Sequence, residues 1–125
     1  MAPRYQGVDY FGISTLLSDE ERLVQATFRR FVDDEIMPTI GRHFRDGTFD
    51  PQWPRRLGAL GALGASLHGY GCAGLNPVAY GLIMQELERG DSGVRSFASV
   101  QGALVMYPIH AFGSEEQKQR WLPAM

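Results

Sequence analysis

Residues 76–108, NPVAYGLIMQELERGDSGVRSFASVQGALVMYP, decide the fold class of this chain. Asn76 followed by Pro77 is a helix start. An Asn side chain accepts from the free first-turn amides, and a proline at the first helical position has no amide to leave unsatisfied. The pattern that follows predicts a helix to about Arg89. Gly90 and Asp91 break it, and Ser92 can cap a second helix reaching Tyr107, with Pro108 and Gly113 marking its end. Between residues 92 and 109 the only charged side chain is Arg95. So few charges on one helix predict that most of it is buried.

Outward from this pair the same signals recur. Ser18 and Glu21 form a capping box, and Val24, Phe28, Phe31, Val32 and Ile36 follow at helical spacing until Pro38. Residues 42–50 read as a polar connection. A further helix is expected from about Pro51 to Ala65, with Trp53, Leu57, Leu60 and Leu63 or Gly64 along one side. Its glycines, Gly58, Gly61 and Gly64, fall three apart, which predicts a smooth groove open to another backbone. Ser114 and Gln117 form a second capping box, opening a last helix with Trp121 and Leu122. Residues 1–17 read as an extended lead-in that packs Tyr5, Tyr10 and Phe11 against the remainder. No alternating β-branched run, hairpin turn or internal repeat interrupts this pattern. The expected class is all-α, a bundle-like domain of about five helices over residues 18–125. The closing residues WLPAM place Trp121, Leu122 and Met125 beside a free carboxyl terminus, and predict a chain cut short of a further domain.

Composition narrows the function classes. With 125 residues, 44% of them hydrophobic, the chain is about one domain and long enough to bury a core. Its 12 basic and 14 acidic residues leave a charge of −2, so no basic field draws nucleic acid or an anionic membrane. Cys72 is the single cysteine, which excludes an internal disulfide and a thiolate metal cluster and fits a reducing compartment. The first residues, MAPRYQGVDYFGIS, have neither the apolar core of a secretory signal nor an Arg-rich transit helix, and predict a cytoplasmic protein. No apolar run approaches the roughly 18 residues a membrane-spanning helix needs.

Several constellations have to be weighed for chemistry. Gly69, Gly71 and Gly74 spell G-x-G-x-x-G, but a dinucleotide cradle needs a strand before it and a helix beginning within it. Here a glycine-spaced helix precedes the motif and Pro77 opens a helix only after it, so it reads as a turn at positive φ. His43, His68 and His110 lie far apart without Cys or carboxylate at ligand spacing, and read as turn or surface residues rather than metal ligands. Cys72 has no local base and reads as a small turn residue. Arg29–Arg30 and Arg55–Arg56 read as solvated helix faces. Arg95 differs. At about 100° per residue, Ser92, Arg95, Ser96, Ser99, Ala103 and Met106 share one face, and Val94, Phe97, Leu104 and Val105 lie opposite. A guanidinium in an apolar setting demands an anion, because an unpartnered buried charge costs several kcal/mol. Two partners fit. Glu88 or Asp91, just before the turn, could tie two helices together, or a ligand carboxylate could be held bidentately by Arg95.

Residues 80–109, YGLIMQELERGDSGVRSFASVQGALVMYPI, followed by FGSEEQKQRWLP at 112–123, resemble the amino-terminal domain of acyl-CoA dehydrogenases. The first helix, the glycine turn and the G-S-x-E-Q-K-x-x-[WY]-L-P segment at 113–123 are similar across that superfamily, so the likeness runs from about Leu17 to the end. The E-R-G-D-S-G-x-R-S turn at residues 88–96 resembles the glutaryl-CoA dehydrogenase branch. The resemblance implies oxidation of an acyl-CoA thioester at its α and β carbons, with FAD accepting hydride and an electron-transfer flavoprotein taking the electrons onward. For the glutaryl branch it further implies loss of CO₂ to give crotonyl-CoA, in lysine and tryptophan degradation. It also implies that Arg95 binds the distal carboxylate of glutaryl-CoA, with Ser96 and Ser99 beside it and Glu88 nearby.

In that family a β-domain holds much of the FAD, and carboxy-terminal helices carry the glutamate base and build a homotetramer. None of these parts is in this chain. No catalytic residue is therefore expected here, neither Glu86 nor Glu88 is assigned as a base, and the isolated chain is expected to be inactive and not to retain FAD. Two alternatives stand beside this reading. One is the same domain of an acyl-CoA dehydrogenase or oxidase for a neutral acyl chain, with Arg95 a structural ion pair. The other is a non-catalytic helical interaction module.

Overall fold

A computed structural model describes residues 8–125; the expected packing of Tyr5 lies outside them. Every regular element among the described residues is helical, and the chain forms five rods. The first joins α1 (Asp19–Phe31) through a π turn (Val32–Ile36) to α2 (Met37–Asp46). After it come α3 (Trp53–Ala59) and α4 (Pro77–Gly90). The fourth rod joins α5 (Ser92–Val100) through a second π turn (Gln101–Met106) to α6 (Tyr107–Phe112), and α7 (Glu115–Trp121) is the fifth. No helix among the described residues is long and apolar enough to cross a membrane.

Both rods that the prolines were expected to end continue through them. Pro38 and Pro108 cannot donate, and each ring crowds the carbonyl four residues back. In each rod the residue before the proline closes a wider i→i−5 bond, Met37 N–H to the Val32 carbonyl and Tyr107 N–H to the Gly102 carbonyl. The extra residue in the turn opens the backbone where the proline would clash. The stretch at 42–50 is accordingly helical as far as Asp46, and the fourth rod runs on to Phe112.

The helix expected over residues 51–65 is shorter. It spans Trp53–Ala59 and closes in a Schellman turn, with Gly61 at φ 75°, its N–H on the Gly58 carbonyl and the Ala62 N–H on the Leu57 carbonyl, both 2.9 Å. Leu60 is exposed beyond the helix end. Gly61 and Gly64 therefore turn the chain and line no helical groove. Tyr10 and Phe11 are 87% and 89% exposed and do not pack as the lead-in predicts.

The core joins Phe28, Phe31, Val32 and Ile36 of the first rod to Trp53 and Leu57 of α3, Ile83 and Leu87 of α4, and Val94, Ala98 and Met106 of the fourth rod. α1 packs along α4, and α4 packs on α5 across the Asp91 turn. The starts of α1 and α4 are latched to each other. Glu21 accepts the Ser18 N–H at 2.8 Å in the capping box and the Asn76 amide at 2.9 Å, while Asn76 Oδ1 accepts the Ala79 N–H at 2.8 Å. Further along, buried Glu86 accepts from Arg29 (2.8 Å) and Arg89 (2.9 Å). Arg29 is thus tied to the α4 carboxylate, and Arg56 pairs with Glu35, so neither doublet is the simple solvated face its sequence suggests.

Candidate functional site

The α4–α5 turn is built by Asp91, not by Ser92. The Asp91 carboxylate accepts the Val94 N–H at 3.0 Å and caps α5, and the Arg95 N–H reaches the Asp91 carbonyl at 3.1 Å. This releases the Ser92 hydroxyl, which donates to Glu88 Oε1 at 2.6 Å. Glu88 Oε2 accepts Arg95 Nε at 2.7 Å, Arg95 Nη1 donates to Ser99 Oγ at 3.2 Å, and Ser99 Oγ donates to the Ser96 carbonyl at 3.1 Å. Three of the four expected binding residues, Glu88, Arg95 and Ser99, are thereby joined through their side chains, whereas Ser96 enters through its carbonyl. Spacing places Ser92 on the Arg95 face, but its reading as the helix cap hid its role as the partner of Glu88.

This cluster lies at the surface of the chain. Arg95 and Glu88 side chains are 35% and 48% exposed. The Arg95 guanidinium, first, and the Ser92 hydroxyl hold the Glu88 carboxyl below its ordinary value of 4.5. Among the described residues, Arg95 Nη2 takes no hydrogen-bond partner. The fourth rod is less buried than its composition predicts. A stripe of Val94, Ala98, Gly102 and Met106 faces the core, while Val100, Leu104 and Tyr107 are exposed. Met106 leaves the Arg95 face because the π turn rotates everything after Gln101 by about one residue, roughly 100°.

A cavity of about 570 Å³ opens on the other flank of α5, bounded by α3, the glycine loop and the last residues, with Tyr70, Cys72, Phe97 and Gln101 in its wall. None of Glu88, Arg95, Ser96 and Ser99 lines it. Burial pushes the Cys72 thiol up, away from thiolate chemistry. The glycine loop is the turn its sequence suggests, with φ of 80°, 83° and 65° at Gly69, Gly71 and Gly74. A Cβ on Gly74 would sit 2.9 Å from His68 Nδ1, and α4 starts only at Pro77 with its free amide engaged by Asn76. Such a loop presents no helix N-terminus to a pyrophosphate, so the described residues do not form a dinucleotide cradle.

The histidines are held by local contacts. His43 meets Thr48 at 2.8 Å and the Trp53 ring edge-on at 5.0 Å. His110 Nε2 is 2.9 Å from the His68 carbonyl and therefore carries the proton that it donates. No group of three His, Cys, Asp or Glu among the described residues could hold a metal ion.

Glutaryl-CoA dehydrogenase of Mycobacterium smegmatis, solved in complex with FADH2, shares the fold with a TM-score of 0.88 and 50% identity over 90% of this chain and 29% of its own. A second structure of the M. smegmatis glutaryl-CoA dehydrogenase gives 0.84 and 54% over the same shares. Among curated proteins, the human mitochondrial short-chain specific acyl-CoA dehydrogenase is 32% identical over 110 residues, 87% of this chain and 27% of its own length. The chain spans less than a third of each of these relatives. The family profile described as acyl-CoA dehydrogenase, N-terminal domain, matches residues 18–125, the same residues that build the five rods and the Glu88–Arg95 turn, and the chain belongs to that family.

Proposed function

We propose that this chain is the substrate-facing domain of an FAD-dependent glutaryl-CoA dehydrogenase, whose parent enzyme oxidises glutaryl-CoA and releases crotonyl-CoA and CO₂. The observation that carries the reading is the Arg95 guanidinium, fixed on a small-residue flank of α5 with Nη2 unpartnered among the described residues. A planar fork of this kind suits a carboxylate at the far end of an acyl chain. The 50% and 54% identities to glutaryl-CoA dehydrogenase structures, against 32% to a short-chain enzyme, support the same choice. In this reading Ser99 steadies Arg95 and Glu88 sets its orientation, while Ser96 and Ala103 leave room for the acyl end.

FAD supplies the hydride-accepting chemistry in the parent. In this reading most of its site, the catalytic base and the homotetramer contacts belong to the remainder of the parent. The test is substrate competition in the full-length enzyme. Arg95→Gln removes charge-assisted hydrogen bonds worth about 1.5–3 kcal/mol, so kcat/KM for glutaryl-CoA falls roughly 10- to 150-fold while butyryl-CoA is nearly unaffected. Equal losses for both substrates would favour the second reading, a dehydrogenase for neutral acyl chains. In its favour stand the preformed Glu88–Arg95 pair and the short-chain relatives.

A further inference from the structure

We propose that Ser92 is a positioning residue that keeps the Arg95 fork open for a ligand carboxylate, an inference that rests on the carboxylate-binding reading of Arg95. A carboxylate beside an arginine ordinarily engages two donors at once, here Nε and Nη2 on one edge of the guanidinium. Among the described residues Glu88 hydrogen-bonds only Nε, through Oε2 at 2.7 Å. Its other oxygen, Oε1, is occupied by the Ser92 hydroxyl at 2.6 Å. Ser99 Oγ accepts from Nη1 at 3.2 Å.

Among the described residues these contacts leave Nη2 without a partner and Nη1 with one of its two hydrogens uncommitted. A ligand carboxylate can take the donors that remain. Without the Ser92 hydroxyl, Glu88 Oε1 is free to swing onto Nη2 and close the fork. The arrangement explains why Asp91 caps α5 while Ser92, which could cap, does not: the serine hydroxyl is spent on Glu88. Glu88 is at once the group that orients Arg95 and the competitor a substrate carboxylate must not meet. Ser92 separates those two roles.

The experiment uses the full-length FAD-loaded enzyme with Ser92→Ala, Ser92→Thr and Arg95→Gln, each assayed with glutaryl-CoA and butyryl-CoA. Ser92→Ala raises KM for glutaryl-CoA about tenfold, one hydrogen bond to a charged group, with kcat and butyryl-CoA kinetics unchanged. Ser92→Thr retains the hydroxyl and restores KM to near the parental value. Melting temperature and flavin content stay at the parental level for both, because the α5 cap is Asp91. If Ser92→Ala leaves KM unchanged, or shifts both substrates alike, while Arg95→Gln remains selective for glutaryl-CoA, the role of Ser92 is overturned and the carboxylate site stands. If Arg95→Gln is itself unselective, the carboxylate site falls and the Ser92 role with it.

Discussion

At the scale of single residues, the glycines separate two physical demands that sequence alone merges. Gly64 and Gly69 both sit at positive φ, 62° and 80°. A methyl on Gly69 meets nothing within 4 Å, whereas one on Gly64 falls 2.7 Å from Met106 Cε and 3.0 Å from its sulfur. Gly69→Ala therefore carries only the left-handed backbone cost, about 1–2 kcal/mol. Gly64→Ala adds only a small steric term, because the atoms it meets are the flexible end of Met106, which borders the cavity beside α5 and can swing away. Urea titration of the two variants should give closely similar midpoints, and a Gly64→Ala midpoint far below that of Gly69→Ala would show that Met106 cannot yield. The left-handed turn at Gly69, Gly71 and Gly74 was legible because the motif lacked its strand and helix. The close approach at Gly64 was not, because Met106, 42 residues later in the chain, reaches it only through a π turn. Arg95 was legible as a charge needing an anion, but not which atoms would answer it, since that depends on Asp91 taking the cap and freeing Ser92.

At the scale of elements, capping chemistry located helix starts better than proline located helix ends. Ser18 with Glu21, Asn76 with Pro77 and Ser114 with Gln117 all open helices where their spacing says they should, because a cap is a local bargain among four residues. Pro38 and Pro108 misled because a π turn is a tertiary solution, stabilised by what packs on the widened backbone. In the first rod that packing is Gly90, the last residue of α4: a Cβ there would lie 2.8 Å from Val32 Cγ1 and 3.4 Å from Ile36 Cγ2. Both side chains belong to the π turn and are fully buried. Gly90 is helical and has no positive φ, so a substitution there tests packing and not backbone strain. Gly90→Ala is expected to destabilise by about 1–3 kcal/mol. Trimming Val32 to Ala in the same chain should recover part of that loss, so that the double variant is more stable than the sum of the two single effects. Strict additivity would show that the α4 end and the π turn do not share this contact.

At the scale of the molecule, polar latches set around the apolar core carry lowered carboxyls, and these are expected to make the chain sensitive to acid. Asp9 lies below its ordinary 3.8, chiefly through the Ser14 backbone N–H. Glu21 lies below 4.5, chiefly through the Ser18 N–H and then the Asn76 amide, and Glu88 below 4.5 through Arg95. A carboxyl whose folded value is lowered contributes its stability above the unfolded value, and loses it as pH falls through the folded one. All three contributions are thus complete above about pH 5 and decline together below about 4.5 and 3.8, the unfolded values. Glu21 is the decisive one for architecture, because it is bonded to both the α1 cap and the α4 cap and so joins the two rods at their starts. Thermal unfolding midpoints measured from pH 6 to pH 3 should fall below pH 4.5 in the parent chain. Glu21→Gln cannot titrate, so its midpoint should start lower at pH 6 and fall less steeply toward pH 3. A Glu21→Gln curve parallel to the parent's across that range would mean that the latch between α1 and α4 carries none of the acid sensitivity, and would shift it to Asp9 and to the Glu88–Arg95 pair.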